Sequence, residues 1–301
     1  MFPEAIRAIR ELRPKAFIFE NVPGLAREKF AKYLEYLQLK LGNPDDFLLD
    51  KEDWRVHMTR LKKNLPENKK SLRGYSVEAH LIEAANFGVP QRRKRLIFVG
   101  IRNDLDVYWS FPQESHSIEG LAWDQVHGDY WDRHKVPLRE RYVDKRLETI
   151  SRKIAPDRPD TDQLPWVTVR DALADLEDPE LFEGSPQHSD HIFKAGAKQY
   201  KGHTGSPWDL PAKTLKAGVN GVPGGENMLQ KPNGSVRYFT IRECARLQTF
   251  PDNFNFHGTW TQTVKQLGNA VPVTLAETVS RSIFDALNSR PKQSTSPPPI
   301  K

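Results

Sequence analysis

The sequence predicts an α/β fold in which a sheet flanked by helices is followed by a second, irregular domain. The first observation behind this prediction is an unbroken apolar run at residues 17–19 that ends abruptly at Glu20 and Asn21. The second is helical spacing of apolar residues on both sides of that run. Continuous apolar strands are typical of parallel sheets covered on both faces, and ligands bind beyond their carboxyl ends. We therefore expect a buried strand that presents Glu20 to a site.

The helix before this strand is predicted to start at Pro3, which suits a first helical turn, and to end before Pro14. The helix after it is predicted over residues 26–41, where apolar side chains recur every three or four positions. Gly42 is a stop signal for that helix. Both helices are expected to cover the sheet.

Alternating apolar residues at 75–81 and an apolar run at 96–101 predict an antiparallel pair of strands. A cluster of arginines at 91–95 lies where the chain reverses between them, a position from which charged groups can meet a ligand. A charged hairpin tip without function is the simpler interpretation of the cluster taken alone.

Beyond residue 102 the pattern becomes irregular, with one clear helix opened by Thr168 and Asp171 in a capping-box pattern. Helical patterns return at 237–256 and 274–287, and both are expected to pack on the first domain. A glycine-rich segment at 216–225 is interpreted as a flexible loop that approaches DNA. The predicted divisions are a first domain, an irregular domain, returning helices and a disordered tail, at residues 1–102, 103–236, 237–288 and 289–301.

The formal net charge of +6 favours an anionic partner such as DNA, although a solvated lysine-rich surface explains it equally well. No apolar segment has the length of a membrane span and no signal sequence is evident, so we expect a cytoplasmic protein. One cysteine in 301 residues excludes an internal disulfide and a cysteine-based zinc site. His188 and His191 have the spacing of metal ligands, but no comparable pair accompanies them. We predict no metal, and histidines that face solvent or DNA.

Four motifs in this order carry a resemblance to DNA (cytosine-5) methyltransferases: Glu20-Asn21-Val22 after a strand, Gln91-x-Arg93-x-Arg95, the segment 242–248 followed by Phe250-Pro251-Asp252, and Gly268-Asn269-Ala270-Val271-Pro272. The chain resembles the back two-thirds of such an enzyme. The resemblance implies part of the Rossmann-like sheet of S-adenosylmethionine-dependent methyltransferases, with residues 103–236 as a target-recognition domain.

Two motifs of the family are missing from this sequence, namely the Phe-x-Gly-x-Gly loop that holds S-adenosylmethionine and the Pro-Cys-Gln loop that carries the nucleophile. By the resemblance, the cofactor site is incomplete in this chain and the chain contains no nucleophile. Cys244 lies on a predicted helix, so we expect it to be inert. We also expect an unpaired apolar edge on the strand at 17–19, where the resemblance implies a neighbouring strand.

The resemblance also implies roles for individual residues. Glu20 matches the residue that activates the cytosine ring, and Arg95 matches the one that holds the cytosine O2. Contact with the base or the DNA is implied for four residues: Asn21, Val22, Gln91 and Arg93, the last of which could instead be a structural companion of Arg95. A place in the cofactor pocket is implied for Asn269, Ala270 and Val271. A structural helix that orients the recognition domain, with buried ion pairs, is implied for Arg242, Glu243 and Arg246.

Several interpretations stay open on the sequence alone. The chain could be one subunit of a split enzyme whose partner chain carries the missing motifs, or a remnant left by truncation or a misplaced start codon. It could be an inactive DNA-binding module, although binding alone does not require Glu20 or Arg95. A transfer-RNA methyltransferase is disfavoured, because about 130 residues separate the hairpin from the later motifs. The expected partners are double-stranded DNA and a second chain, and the expected location is the nucleoid.

Overall fold

The structure is a computed structural model that describes residues 2–64, 74–154, 162–181, 188–199, 204–217 and 227–289. Most of the predicted glycine-rich loop and all but the first residue of the predicted disordered tail lie outside these ranges. The α/β class is confirmed, since helices and small sheets alternate along the chain. None of the helices in these ranges is long and apolar enough to span a bilayer.

The helices are α1 Phe2–Leu12, α2 Ala31–Gly42, α3 Trp54–Asn64, α4 Ile118–Val126, α5 Tyr130–Arg133, α6 Lys145–Ser151, α7 Val169–Leu173, α8 Ile241–Leu247, α9 Trp260–Asn269 and α10 Val273–Asn288. The strands are β1 Ala16–Asn21, β2 Tyr75–Glu83, β3 Lys94–Arg102, β4 His116–Ser117, β5 Leu164–Pro165, β6 Ser206–Pro207, β7 Met228–Gln230 and β8 Val236–Tyr238. Short 3-10 turns at Pro23–Ala26 and Glu28–Phe30 occupy the start of the helix that we predicted from residue 26.

The described residues form two compact units. Those of unit 1 lie within Met1–Ile82, Arg95–Pro112 and Val279–Lys301, and those of unit 2 within Glu83–Lys94 and Gln113–Thr278. These bounds differ from the predicted domains, because α8 and α9 belong to unit 2. One hydrophobic core explains the difference, since it joins α7, β7, α8 and α9 through Val169, Leu173, Leu229, Cys244, Ala245, Leu247, Val264 and Leu267.

The sheet of unit 1 has the order β1-β3-β2, so the predicted neighbouring strands β2 and β3 are adjacent. The prediction of a parallel environment for β1 is wrong for its described neighbour. β1 runs antiparallel to β3, with Ala16 opposite Ile101 and Asn21 opposite Leu96. Apolar periodicity does not encode strand direction, which depends here on how β3 returns beside β1.

β1 lies at the edge of this sheet in the described part of the chain, and its apolar run is unequally buried. Phe17 packs into the core of unit 1 over Gly100, where an added Cβ would lie 2.1 Å from the Phe17 ring. Ile18 is 39% exposed. An exposed apolar side chain on an edge strand is the arrangement that we expected for this strand.

Unit 2 contains helices that the sequence pattern did not reveal. We predicted one clear helix between residues 103 and 237, and α7 has the expected capping box between Thr168 and Asp171. α4 and α6 were missed. Their N-caps, Ser117 and Asp144, accept hydrogen bonds from the backbone N–H groups of Gly120 and Arg146. Such caps are visible in a sequence, but the apolar stripes behind them are too short to stand out.

An ion pair between Glu52 and Arg60 is expected to make the stability of unit 1 depend on acidic pH. Arg60 donates from Nη2 to Glu52 Oε2 at 2.9 Å, and this hydrogen bond holds the pKa of the Glu52 carboxyl at about 2, against an ordinary value of 4.5. Because the folded-state pKa is depressed, the stabilisation is present above pH 4.5 and is lost as the pH falls toward 2. We expect the urea midpoint of Glu52→Gln to fall below that of the unaltered chain at pH 7 and to converge with it near pH 2.

The matched control is Glu4→Gln, which removes a carboxylate from an exposed pair with Arg7 on the same unit. A Glu52→Gln variant whose midpoint differs from the unaltered chain by the same amount at both pH values would contradict the linkage.

Candidate functional site

Glu20 and Arg95 meet on one face of the unit 1 sheet. Glu20 lies near the carboxyl end of β1, opposite Ile97 of β3, and Arg95 precedes Ile97 by two residues. Residues two apart on a strand share a face, so the register makes Glu20 and Arg95 diagonal neighbours. The Arg95 Nε atom lies 2.5 Å from Glu20 Oε1. The two residues predicted to be catalytic are thus in direct contact.

The electrostatics of this pair come from partial burial. The Arg95 side chain is 11% exposed and that of Glu20 is 27% exposed. Burial lowers the pKa of the Arg95 guanidinium, and the Glu20 carboxylate opposes that shift. An arginine remains charged under such conditions, so the pair presents fixed donors beside an acceptor that solvent can still reach. This arrangement can bind a planar ring that carries both donors and acceptors on one edge.

The residues after Glu20 form the turn that ends β1. The Asn21 Oδ1 atom accepts a hydrogen bond of 2.8 Å from the backbone N–H of Val22, and the Val22 side chain is 58% exposed. The predicted contacts of both residues with base or DNA stay predictions. Asn21 shapes the local turn, and Val22 leaves an apolar group at the surface beside the end of the strand.

The structure does not support the predicted DNA contact of Gln91 and Arg93, because both side chains are fully buried in unit 2. The Gln91 side chain donates to the Leu247 carbonyl at 3.1 Å and accepts from the backbone N–H of Leu215 at 3.1 Å. Arg93 is separated from Arg95 by a single residue in the same motif, which is why contact with the base or the DNA is implied for it. The alternative role of Arg93, a structural companion, fits its surroundings, since a buried guanidinium needs several acceptors.

Arg93 holds together three backbone carbonyls that are distant in sequence. It donates to the Leu215 carbonyl at 3.1 Å, to the Gly268 carbonyl at 2.7 Å and to the Ala270 carbonyl at 2.9 Å. The last two flank Asn269, the final residue of α9, whose side chain is exposed. Arg93 therefore positions the segment that was predicted to line the cofactor pocket.

Gly268 allows the close approach on which this arrangement depends. A Cβ atom at this position would lie 2.5 Å from the Ala217 backbone nitrogen and 2.6 Å from the Lys216 carbonyl carbon. Ala270 and Val271 follow in partly exposed positions. The cofactor-pocket role of Asn269, Ala270 and Val271 remains a prediction, and the geometry explains why glycine precedes them.

The helix α8 carries a buried polar scaffold of the kind predicted for Arg242, Glu243 and Arg246. Glu243 forms a bidentate pair with Arg237, with both N–O distances at 2.7 Å. Arg242 is fully buried and donates to the carbonyls of Ser189, Pro251 and Phe254. Arg246, nearer the surface, pairs with Asp175 and Asp252.

Arg237, the partner of Glu243, is not among the residues that the sequence motifs predict. A signal was available at Thr240, because Thr-x-x-Glu is the capping-box pattern, and the Glu243 carboxylate accepts from the Thr240 backbone N–H at 2.8 Å. The other oxygen of a buried glutamate that caps its own helix still needs a hydrogen-bond donor, and Arg237 provides it.

Cys244 is fully buried on α8, and burial raises the pKa of its thiol. A protonated and inaccessible thiol is not a nucleophile.

The prediction that His188 and His191 face solvent or DNA is wrong for one of the two histidines. His191 is buried, with its ring nitrogens 2.9 Å from Thr240 Oγ1 and 2.9 Å from the Glu177 carbonyl, so the predicted exposure is wrong for it. Its ring nitrogens satisfy buried polar groups.

The family model for C-5 cytosine-specific DNA methylases matches residues 1–44 and 57–285. These ranges cover most of the chain, and they include the Glu20–Arg95 pair and the segment around Asn269. The chain belongs to this family of DNA methylases.

One similar protein is the type II methyltransferase M.PspPI from Psychrobacter sp. (strain TA137), which is 28% identical over 293 residues; the match covers 96% of this chain and 58% of the relative. Another is the type II methyltransferase M.Eco47II from Escherichia coli, which is 28% identical over 298 residues; the match covers 96% of this chain and 59% of the relative. The chain spans about three fifths of the length of these curated relatives. Among solved structures, the S. pombe Dnmt2 methyltransferase aligns with a TM-score of 0.49 and 16% identity over 96% of this chain and 72% of that chain.

Proposed function

We propose that this chain supplies the base-binding and DNA-recognition part of a type II DNA cytosine-5 methyltransferase that acts on duplex DNA. The contact between Glu20 and Arg95 carries the proposal. A guanidinium and a carboxylate fixed side by side on one sheet face match the edge of a cytosine, which offers O2 and N3 acceptors and an exocyclic amine donor. Such a base must leave the helical stack before its edge can be bound.

The proposed chemistry assigns one task to each residue of the pair. Cytosine C5 becomes nucleophilic after a thiolate adds to C6, because the ring then has enamine character. Arg95 would donate to O2 and hold the ring in place. Glu20, in its protonated form, would donate from its O–H to N3 and accept from the exocyclic amine with its other oxygen, which lowers the barrier to addition at C6.

The methyl group in this family's reaction comes from S-adenosylmethionine. The residues of this chain fit only part of a site for it, because the sequence has no Phe-x-Gly-x-Gly loop and the exposed Asn269 with Ala270 and Val271 is the part assigned here. The nucleophilic cysteine would also come from outside this chain, either from a preceding segment or from a partner chain, since Cys244 is buried. The proposed setting is the cytoplasm, at the nucleoid.

Residues 103–236 are proposed as the target-recognition domain. The net positive charge of the whole chain favours a DNA partner, since phosphate contacts provide much of the affinity for duplex DNA and weaken steeply as salt rises. Within residues 103–236 acidic residues outnumber basic ones, so the assignment of this range depends on the order of the motifs. A catalytically inactive DNA-binding remnant is the alternative proposal. The burial of the one cysteine fits it equally well, and activity measurements separate the two.

The chain alone is expected to transfer no methyl groups to DNA. In the test, residues 1–301 are expressed alone and together with a fragment of a family member that carries the two missing motifs, and transfer of tritiated methyl groups to unmethylated genomic DNA is followed. Transfer is expected only with both parts present, because the thiolate step cannot otherwise begin.

Cys244→Ala is the control, and it is expected to leave the transfer by the combined parts unchanged. Methyl transfer by residues 1–301 alone would contradict the proposal that the nucleophile comes from outside this chain. Salt-dependent DNA binding without any transfer by the combined parts would favour the inactive remnant.

A further inference from the structure

Unit 1 contains a cavity of about 460 Å³ that neither Glu20 nor Arg95 lines. Its walls come from α1, α2, the segment at residues 47–48 and the first residue of α3. Five of the lining side chains are aromatic, namely Phe2, Tyr33, Tyr36, Phe47 and Trp54. A volume in this range suits a small organic molecule, and aromatic walls favour a flat apolar body.

The charges around this cavity are of one sign. Arg7, Arg10 and Lys40 line it, and none of the described residues that line it carries a carboxylate. Two of these cations have carboxylate partners on α1, since Arg7 pairs with Glu4 and Arg10 with Glu11. Lys40, in contrast, has backbone carbonyls as its hydrogen-bond partners.

Lys40 is 6% exposed, and its ammonium donates to the backbone carbonyls of Pro44 and Asp46. The ammonium also lies 5.8 Å from the centroid of the Phe47 ring, and in the described part of the chain no carboxylate pairs with it. The neighbouring acids are already paired, Asp45 with Arg13 and Asp46 with Arg60.

A buried ammonium whose hydrogen-bond acceptors are neutral carbonyls is costly to keep charged. Burial lowers the pKa of Lys40, and Asp46 only partly opposes the shift. An anion in the adjoining cavity would offset this cost, because a hydrogen bond to a charged group is stronger than one to a neutral carbonyl. Arg10, which stacks over the Phe47 ring at 4.7 Å, would add to the positive potential there.

We propose that this cavity binds a small organic anion with a flat aromatic body, whose anionic group accepts a hydrogen bond from Lys40. The aromatic side chains would enclose the apolar body. The proposal is independent of the function proposed for the Glu20–Arg95 pair, because it depends only on α1, α2, the segment at residues 44–48 and the start of α3.

The test uses two fluorescent probes of nearly equal shape, 1-anilinonaphthalene-8-sulfonate and its uncharged analogue N-phenyl-1-naphthylamine. On the unaltered chain we expect one equivalent of the sulfonate to bind about tenfold more tightly than the neutral probe, from one charge-assisted hydrogen bond. Lys40→Met is expected to remove most of this preference while the neutral probe still binds, because Arg7 and Arg10 remain. Lys15→Met, which removes an exposed lysine of the same unit, is the matched control and is expected to keep the preference.

A second variant separates this cavity from the exposed edge of β1, which could also attract apolar dyes. Ile6→Trp fills the cavity from α1 and is expected to weaken the binding of both probes. The comparison of the two probes on the unaltered chain does not require any variant to fold. Equal affinity for the two probes, or a sulfonate preference that is undiminished in Lys40→Met, would overturn the proposal.

Discussion

Glu20→Gln is expected to lower methyl transfer by about 10²–10⁴-fold when the chain is combined with a fragment that carries the missing motifs. The amide keeps the size of the side chain but loses the charge that pairs with Arg95 at 2.5 Å. Its carbonyl oxygen can still accept from the exocyclic amine of cytosine, but the amide cannot transfer a proton to N3. The rate of tritium transfer under single-turnover conditions measures the effect on the chemical step.

Glu78→Gln is the matched control, since Glu78 is an exposed carboxylate of the same sheet that lies beside His80. Its transfer rate is expected to equal that of the unaltered chain. DNA binding should be unchanged in both variants if Glu20 acts on the flipped base. A Glu20→Gln variant with the transfer rate of the Glu78→Gln control would remove Glu20 from the proposed reaction.

Glu243→Gln is expected to cost about 3 kcal/mol of unfolding free energy in unit 2, because it leaves the buried Arg237 guanidinium with only the longer pair to Asp178, at 3.8 Å, as a counter-charge. Both side chains are almost completely buried, so water cannot replace the lost partner. Hydrogen exchange of the α8 amides reports the change in the unit to which the pair belongs.

Removing both charges together is expected to cost much less, so the double variant Arg237→Met with Glu243→Leu should recover most of the loss. Glu140→Gln, which changes an exposed carboxylate of unit 2, is the control for the substitution itself. Equal protection of α8 in Glu243→Gln and in Glu140→Gln would show that the buried pair contributes no stability.

Local patterns in the sequence were sufficient for several elements. α1 and α10 follow from apolar side chains at helical spacing, and α7 follows from the capping box of Thr168 and Asp171. The adjacent strands β2 and β3 follow from alternating apolar residues before a turn and a continuous apolar run after it. Each of these signals involves residues close together in the chain, where propensity and spacing act directly.

The candidate site was predictable in part. Motif order alone pointed to Glu20 and Arg95, and the antiparallel register explains why the two side chains meet. Gln91 and Arg93 are polar residues of the same motif as Arg95, yet both are fully buried. Their partners are carbonyls more than 120 positions away, at Leu215 and beyond.

The sequence by itself determined the family of this protein, the helices with clear apolar stripes and the identity of the pair that is proposed to bind the base. The tertiary structure decided the direction of β1 against β3, the burial of Arg93 and the position of Lys40 beside an aromatic cavity. The physical reason is that charge and periodicity are properties of a local segment. Burial and strand pairing depend on contacts between segments that are far apart in the chain, and a single sequence does not state which of those contacts form.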